Sequence, residues 1–232
     1  MRAWLVVATA AALEPRSFIR RQGHTTKNQR RALRELWPRY GVDVPWNRTI
    51  ADVQGTLFGR DASATCVLDV GFGHGDSLVG MALRRPDACF LGVEMHRPGV
   101  GAALLRADAE AVDNVRIARV DAVALLDKHL PPIPQFDECC FFFPDPWFKD
   151  KDAGRRILRP STLDLLAARL RPGGKLRVAT DVDAYAAHVR GVVAADPRWT
   201  ACEAPWRPET MYERRGVERG RAISDMAFEL VN

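Results

Sequence analysis

From residue 65 onward, short runs of apolar residues alternate with longer segments that carry apolar positions at helical spacing. Short apolar runs bounded by turn residues are typical of buried strands, and the longer segments are typical of helices. The pattern predicts strands at 66–70, 89–94, 115–120, 136–143, 175–180, 200–204 and 226–231. It predicts helices at 76–85, 98–112, 122–129 and 160–170, a turn at 172–174, and a further helix that ends at 195.

Strands that alternate with helices at this spacing predict the α/β class, with a mainly parallel sheet of seven strands and helices on both faces. We expect this domain at 61–232, preceded by a basic arm at 16–60 and by an extension at 1–15 that is disordered. The alternative for residues 2–13 is a short signal peptide. Ligands of parallel α/β sheets bind beyond the carboxyl ends of the strands.

Composition narrows the class of protein further. Of the 232 residues, 47% are hydrophobic and 27% are charged, which excludes a disordered chain, and no apolar run has the length of a membrane span. The five cysteines form no CxxC pair, so we expect no disulfide framework, no zinc site and a reducing, cytoplasmic location. The five histidines show no ligand spacing, and no metal is expected.

Positive charge is concentrated in two clusters. Nine Lys and Arg residues between 16 and 48 are opposed only by Glu35 and Asp43, which gives this arm a net charge of +7. The second cluster, diluted by two aspartates, comprises Lys149, Lys151, Arg155, Arg156 and Arg159. Such clusters are typical of a surface that binds a nucleic acid, or of an ordinary solvated face. On the first interpretation, the RNA backbone is contacted by Arg20, Arg21, Arg155 and Arg156.

A glycine-rich turn, residues 71–75, follows the first predicted strand. Gly71 and Gly73 match the first two glycines of the dinucleotide motif G-x-G-x-x-G, which allow a tight turn and a close ligand. Asp76 stands at the third glycine position, where its charge would repel the pyrophosphate that a helix N-terminus attracts. The turn therefore favours a positively charged cofactor, and S-adenosylmethionine fits because it carries a sulfonium and an ammonium group.

Two further acidic residues stand at strand ends. Glu94 ends the second predicted strand, at the place where a carboxylate binds ribose hydroxyls in related sheets. Asp121 ends the third, where it can accept a hydrogen bond from an adenine amino group. The alternative for each residue is a capping role, and Asp121 in particular can cap the helix that follows it.

The fourth predicted strand ends in the sequence Phe142-Phe143-Pro144-Asp145-Pro146-Trp147. A carboxylate beside an indole suits a flat base with a donor-rich edge, because Trp147 can stack on the base and Asp145 can accept its hydrogen bonds. Asp145 is therefore the candidate catalytic residue. The alternative is a proline-rich turn that carries a core tryptophan.

Together these segments resemble the bacterial tRNA (guanine-N7-)-methyltransferases, a family of Rossmann-like enzymes that use S-adenosylmethionine. The most specific matches are the Phe-Pro-Asp-Pro-Trp loop and the stretch 94–101, Glu-Met-His-Arg-Pro-Gly-Val-Gly. Further matches are residues 68–75, 179–181, the basic entry segment 16–23, and the segment 207–216 with its Thr-x-aromatic-Glu-x-Arg-Gly order. The resemblance covers roughly residues 16–230.

The resemblance implies a Rossmann-like methyltransferase fold and methylation of a guanine at N7 in the variable loop of tRNA. It implies that the cofactor is surrounded by Asp69, Glu94, Asp121 and Asp145. It also implies that the substrate guanosine is faced by Lys149, Asp181, Thr210, Met211, Tyr212 and Glu213. The chain departs from the family pattern at Asp69, where Glu is common, at Phe148, where Pro or His is frequent, and at Val182, where Trp is common.

Two other functions stay open. A Rossmann-like methyltransferase for a small molecule or an exocyclic amine would carry its acceptor loop at the same strand end, but it needs neither the basic arm nor residues 210–213. A catalytically inactive RNA-binding relative would not need the acids at 94, 121 and 145. We expect S-adenosylmethionine as the cofactor, tRNA as the partner, no membrane, no metal, and a monomer.

Overall fold

The computed structural model describes residues 23–44 and 49–231. The predicted extension at 1–15 and the predicted RNA contacts of Arg20 and Arg21 lie outside these residues. The described strands are β1 Gly41–Val42, β2 Cys66–Val70, β3 Cys89–Val93, β4 Val115–Ala118, β5 Phe136–Phe142, β6 Leu170–Thr180, β7 Trp199–Cys202 and β8 Ser224–Leu230.

The first two helices precede β1, and the others lie between the strands. The helices are α1 Lys27–Glu35, α2 Trp37–Tyr40, α3 Val53–Phe58, α4 Asp76–Arg84, α5 Arg97–Ala109, α6 Ala122–Ala124, α7 Pro160–Ala167, α8 Asp183–Ala194 and α9 Met211–Glu218. Of these, α4 to α8 lie where the apolar pattern predicts helices. A π-helical turn, Leu125–His129, continues α6, and a 3-10 helix spans Asp150–Arg155.

All of these strands join one sheet, in the order β1-β4-β3-β2-β5-β6-β8-β7. β8 runs antiparallel to β6 and β7, and the other neighbours are parallel, which confirms the predicted α/β class. Within the described residues the sheet has eight strands instead of the predicted seven, because Gly41 and Val42 of the arm pair with β4. The strand order reverses between β2 and β5, and ligand crevices form at such a switch point.

The sequence predicts a turn at 172–174 before the strand at 175–180. This prediction is wrong, because these residues lie within β6. The pairing of β5 with β6 passes from Phe136 opposite Leu170 to Glu138 opposite Lys175, so the extra residues bulge out of the ladder. Gly173 takes a φ of +76°, which glycine adopts without strain. A Pro-Gly-Gly segment serves a bulge as well as it serves a turn.

Apolar side chains cover both faces of the sheet. Along β2, Val67 packs with the cluster beneath α4 and α5, and the next residue, Leu68, packs with the cluster beneath α7 and α8. Tyr40 of the arm is fully buried in the first cluster, and its hydroxyl donates a hydrogen bond to the carbonyl of Ala107 at 3.2 Å. The described arm residues therefore pack onto the sheet and extend its edge.

Candidate active site

The turn between β2 and α4 is built from glycines with positive φ. Gly71, Gly73 and Gly75 have φ values of +73°, +60° and +86°, which side-chain-bearing residues rarely adopt. The amide of Gly71 donates to the carbonyl of Val93 at 2.8 Å and joins the turn to the end of β3. A Cβ atom at Gly73 would lie 3.0 Å from Cε2 of Tyr212, so the absence of a side chain lets Tyr212 close over the turn.

Glu94 connects the ends of β2 and β3. Its Oε2 accepts a hydrogen bond from the amide of Gly73 at 3.1 Å, and its Oε1 accepts one from the amide of His96 at 2.8 Å. Burial raises the pKa of Glu94, these backbone bonds oppose the rise, and the charge of Asp145 adds to it. Each carboxylate oxygen has a second lone pair, so Glu94 can also accept hydroxyl groups from a ligand.

Asp121 has the capping role and also faces the pocket. Its Oδ1 accepts a hydrogen bond from the amide of Ala124 at 2.8 Å, which makes it the N-cap of α6. The alternative given by the sequence is therefore confirmed. The same residue lines the pocket at the switch point, so capping holds the carboxylate in place without excluding a ligand contact.

One pocket at the carboxyl edge of the sheet collects most of the predicted cofactor residues. Its polar lining includes Glu94, Asp121 and Asp145, with Tyr212 on α9. Its apolar lining comes from the ends of the central strands and from the segment after β5: Val70, Val93, Phe141, Phe143 and Ile157. Gly71 and Gly73 also line it.

Asp69 is not among the residues that line this pocket. Its side chain is fully buried, with Oδ2 accepting a hydrogen bond from the Ser77 hydroxyl at 2.7 Å. Its Oδ1 is buried without a hydrogen-bond partner. Burial raises the pKa of Asp69 to about 7, against the opposing effects of Ser77 and of the Arg177 charge. The predicted cofactor contact of Asp69 stays a prediction.

The raised pKa makes the contribution of Asp69 to stability depend on pH. The folded carboxyl keeps its proton up to about pH 7, whereas the unfolded one ionises near 3.9, so the contribution is complete below about pH 4 and is lost as pH rises through 7. Between pH 5 and pH 8 the free energy of unfolding should fall by about 2.5 kcal/mol more in the natural protein than in Asp69→Asn. Denaturant unfolding at both pH values measures this, with the exposed Asp87→Asn as the control. Equal pH dependence in the natural protein and Asp69→Asn would contradict it.

The loop after β5 carries strain at both ends. Phe143 and Trp147 have φ values of +55° and +46°, uncommon for residues with side chains. The amide of Phe143 donates to the carbonyl of Ala179 at 2.7 Å, which anchors the start of the loop on β6. Asp145 lies between these two residues, exposed at the pocket. Strain of this kind persists only where the surroundings hold it, and it clusters at functional sites.

Two arginines of the second basic cluster hold the far end of this loop. Nε of Arg156 donates to the carbonyl of Pro146 at 3.1 Å, and Nη2 donates to the carbonyl of Trp147 at 3.4 Å. The guanidinium of Arg155 lies over the indole of Trp147, 3.6 Å from the ring centroid. The structure thus places Arg155 and Arg156 against protein groups, and their predicted phosphate contacts stay predictions.

The segment predicted to face the guanosine begins α9. Thr210 and Glu213 form a capping box, in which the Thr210 hydroxyl accepts from the Glu213 amide at 3.2 Å. The Glu213 carboxylate also pairs with Arg207, at 2.5 Å from Oε2 to Nη1. The amide of Met211 donates to Asp76 at 3.2 Å. Thr210, Met211 and Glu213 therefore fix the helix start, and Tyr212 lines the pocket.

The other two predicted substrate residues are Lys149 and Asp181. Lys149 is exposed and lies just before the 3-10 helix, and Asp181 follows β6 directly. Asp181 accepts a hydrogen bond from Arg221 at 2.7 Å. Neither residue is among those that line the pocket.

Two residues outside the predicted set organise the site. Arg207 is buried, bridges Glu213 and Asp225, and lies 5.6 Å from the ring centroid of Phe143, so it connects α9 with the loop. Asp76 accepts from Met211 and pairs with Arg106 at 2.7 Å, joining α4, α5 and α9. The Thr-x-x-Glu spacing at 210–213 is the sequence signal for the capping box, whereas a single arginine carries no such signal.

Two features are absent from the described residues, 23–44 and 49–231. In these parts of the chain, no group of three or more His, Cys, Asp or Glu side chains is arranged to hold a metal ion. No helix among them combines the length and apolar character needed to cross a membrane.

Comparison with protein families and curated proteins gives a consistent result. A family model described as a putative methyltransferase matches residues 63–226. The tRNA (guanine-N(7)-)-methyltransferase of Halorhodospira halophila is 47% identical over 225 residues, 94% of this chain and 95% of that protein. The protein of the same name from Nitrosococcus oceani is 38% identical over 220 residues, 92% of this chain and 89% of that protein.

Solved structures share the fold at low sequence identity. The 16S rRNA methyltransferase KamB superposes with a TM-score of 0.54 at 18% identity, over 72% of this chain and 88% of that one. A 16S rRNA (adenine(1408)-N(1))-methyltransferase from Catenulisporales acidiphilia does so with a TM-score of 0.51 at 16% identity, over 74% and 88% of the two chains.

The sheet order, the pocket at its switch point and the family match define the chain as a Rossmann-like methyltransferase. Its identity to the curated relatives over nearly its whole length is more specific. The chain belongs to the tRNA (guanine-N(7)-)-methyltransferase family.

Proposed function

We propose that this enzyme transfers a methyl group from S-adenosylmethionine to N7 of a guanine in the variable loop of tRNA. The observation that carries the proposal is the pocket at the switch point, where Glu94, Asp121 and Asp145 converge with Tyr212. The names of the relatives supply the substrate class. On the cysteine pattern of the sequence, we also propose that it acts in the cytoplasm.

The pocket residues fit S-adenosylmethionine in charge and polarity. Burial is the main cause of the raised pKa of Glu94, and the negative charge of Asp145 adds to it, so a cationic ligand relieves the repulsion between the two carboxylates. Glu94 can accept hydrogen bonds from the ribose hydroxyls, and Asp121 can accept one from the adenine amino group. Val93 and Ile157 provide apolar surface for the ligand. Gly71 has open space where a side chain would stand, so a ligand can approach the turn.

Bound S-adenosylmethionine supplies an electrophilic methyl group on its sulfonium. Guanine N7 carries a lone pair and no proton, so the chain needs no general base to activate it. We assign Asp145 the task of accepting hydrogen bonds from guanine N1–H and the exocyclic N2–H, which orients the base and selects against adenine. The methylated ring becomes cationic, so these bonds strengthen towards the transition state.

The nucleoside product tests the proposal directly. Unmodified bulk tRNA is incubated with the enzyme and S-adenosylmethionine, digested, and analysed by mass spectrometry with chromatographic separation of the methylguanosine isomers. We expect N7-methylguanosine, and nuclease mapping should place it in the variable loop. Another methylated nucleoside would contradict the guanine-N7 reaction, and methylation of small amines alone would favour a small-molecule enzyme. Cofactor binding without methyl transfer would favour an inactive RNA-binding relative.

Arg156 offers a test of how the reactive loop is held. Arg156→Ala removes the donors that hold the carbonyls of Pro146 and Trp147, and we expect turnover to fall about tenfold as Asp145 loses its fixed position. The salt dependence of tRNA binding should stay unchanged, because the guanidinium faces protein carbonyls. The matched control is Arg190→Ala on α8, an exposed arginine. If Arg156 contacts a phosphate instead, the slope of log affinity against log salt will fall by about 0.7–0.9 with turnover preserved.

A further inference from the structure

Phe148 exposes 70% of its surface, more than the other exposed large apolar residues among those described. It follows Trp147 directly, yet the two aromatic side chains have different surroundings. Trp147 is partly buried and carries the Arg155 guanidinium over its ring. The sequence assigns base stacking to Trp147, but the ring that the loop offers to solvent is Phe148.

The position of Phe148 is tied to the reactive loop. Phe148 is three positions after Asp145 in the sequence, so their Cα atoms are at most about 11 Å apart. The loop backbone between them is held by Arg156 and by the left-handed conformation of Trp147. Phe148 is therefore presented from an anchored segment beside the pocket, with exposed Lys149 and Lys151 following it.

We propose that Phe148 stacks on a nucleobase adjacent to the target guanine in the substrate RNA. This inference rests on the proposed function. A base must leave its stack to enter the pocket, and its neighbour then exposes an apolar face. An aromatic ring can cover that face for any of the four bases. Lys149 and Lys151 can bind the phosphates that flank the stacked base. The combination of one exposed ring with cations favours RNA over a protein partner.

The experiment compares steady-state methylation of an unmodified tRNA transcript by the natural protein, Phe148→Ala and Phe148→Trp. We expect the alanine variant to raise KM for tRNA about tenfold, the tryptophan variant to restore it, and the dissociation constant for S-adenosylmethionine to stay unchanged. Ile133→Ala is the matched control, since Ile133 is also exposed (47%) but precedes β5, at the opposite end of that strand. It should behave like the natural protein.

A second set of substrates separates stacking from a structural role. Transcripts that carry an abasic site directly 5′ or 3′ of the target guanine remove one neighbouring base at a time. On one of the two, the natural protein and Phe148→Ala should have the same KM, because the base that Phe148 contacts is gone. A tenfold difference that persists on both abasic transcripts would overturn the proposal.

Three further outcomes are decisive. If the natural protein produces N7-methylguanosine and Phe148→Ala has an unchanged KM, the stacking role fails while the proposed function stands. If the natural protein makes no N7-methylguanosine in tRNA, both fail together. Light scattering tests whether a second copy of the chain binds this surface instead. If the natural protein is a dimer and Phe148→Ala is a monomer, Phe148 mediates self-association and the RNA-stacking proposal is wrong.

Discussion

Asp145→Asn is expected to lower the turnover number for tRNA methylation by about a hundredfold or more, the scale of one lost electrostatic contact in an active site. The substitution keeps the shape of the side chain, so the strained loop between Phe143 and Trp147 has no reason to rearrange. It removes the negative charge, and it can turn an amide N–H towards the N–H groups of guanine. The positive charge that develops on the ring then has no carboxylate to stabilise it.

Single-turnover methylation with saturating cofactor measures this effect, and calorimetric titration of S-adenosylmethionine should show a smaller change in affinity. Asp87→Asn, an exposed aspartate before β3, controls for the change in net charge. Because N7 holds no proton, Asp145 should control no rise in rate near neutral pH. Near-normal turnover in Asp145→Asn would contradict the mechanism. So would a rise in rate near pH 7 that is present in the natural protein and lost in this variant.

The sequence predicts the sheet and the edge that carries the site because both depend on short-range patterns. Apolar runs between glycines and prolines mark β2, β3 and β5 to within a residue or two. The carboxyl ends of parallel strands share one edge, so acids that follow successive strands are brought together. Glu94 and Asp121 line one pocket for this reason.

Short or polar elements escape such patterns. β1 has two residues, and only its pairing with β4 makes it a strand. α9 has a single buried residue, Gly216, so it lacks the apolar stripe that marks a helix, although its capping box is visible as Thr-x-x-Glu. Local chemistry fixes the ends of such elements more than hydrophobicity does.

The partner of a charged residue is decided by tertiary packing, and this limits what the sequence can say about the basic cluster. In the sequence, Arg155 and Arg156 belong to the same basic cluster as Lys149 and Lys151. In the structure, however, they contact Pro146 and Trp147 of the loop that carries Asp145. Asp69 shows the same limit, because its place in β2 predicts burial but not which of its oxygens is satisfied.

Glu94→Ala is expected to weaken S-adenosylmethionine binding by about ten- to hundredfold, because charge-assisted hydrogen bonds contribute roughly 1.5–3 kcal/mol. The structure adds a second reason for the loss. The same carboxylate accepts from the amides of Gly73 and His96, so its removal also frees the glycine turn against which Tyr212 lies. The fold should persist, since the side chain stands at the end of β3 and not in its core.

The two contributions of Glu94 are separated by a conservative variant. Glu94→Gln keeps a carbonyl oxygen for one backbone amide but brings an NH2 group to the other, so it should bind cofactor more tightly than Glu94→Ala and more weakly than the natural protein. Calorimetric titration of S-adenosylmethionine measures all three, and Glu110→Ala, an exposed glutamate after α5, is the control. Equal affinities in Glu94→Ala and the natural protein would remove Glu94 from the site. If Glu94→Ala and Glu94→Gln lose the same affinity for S-adenosylmethionine, the negative charge of Glu94 contributes more to binding than its hydrogen bonds to the glycine turn do.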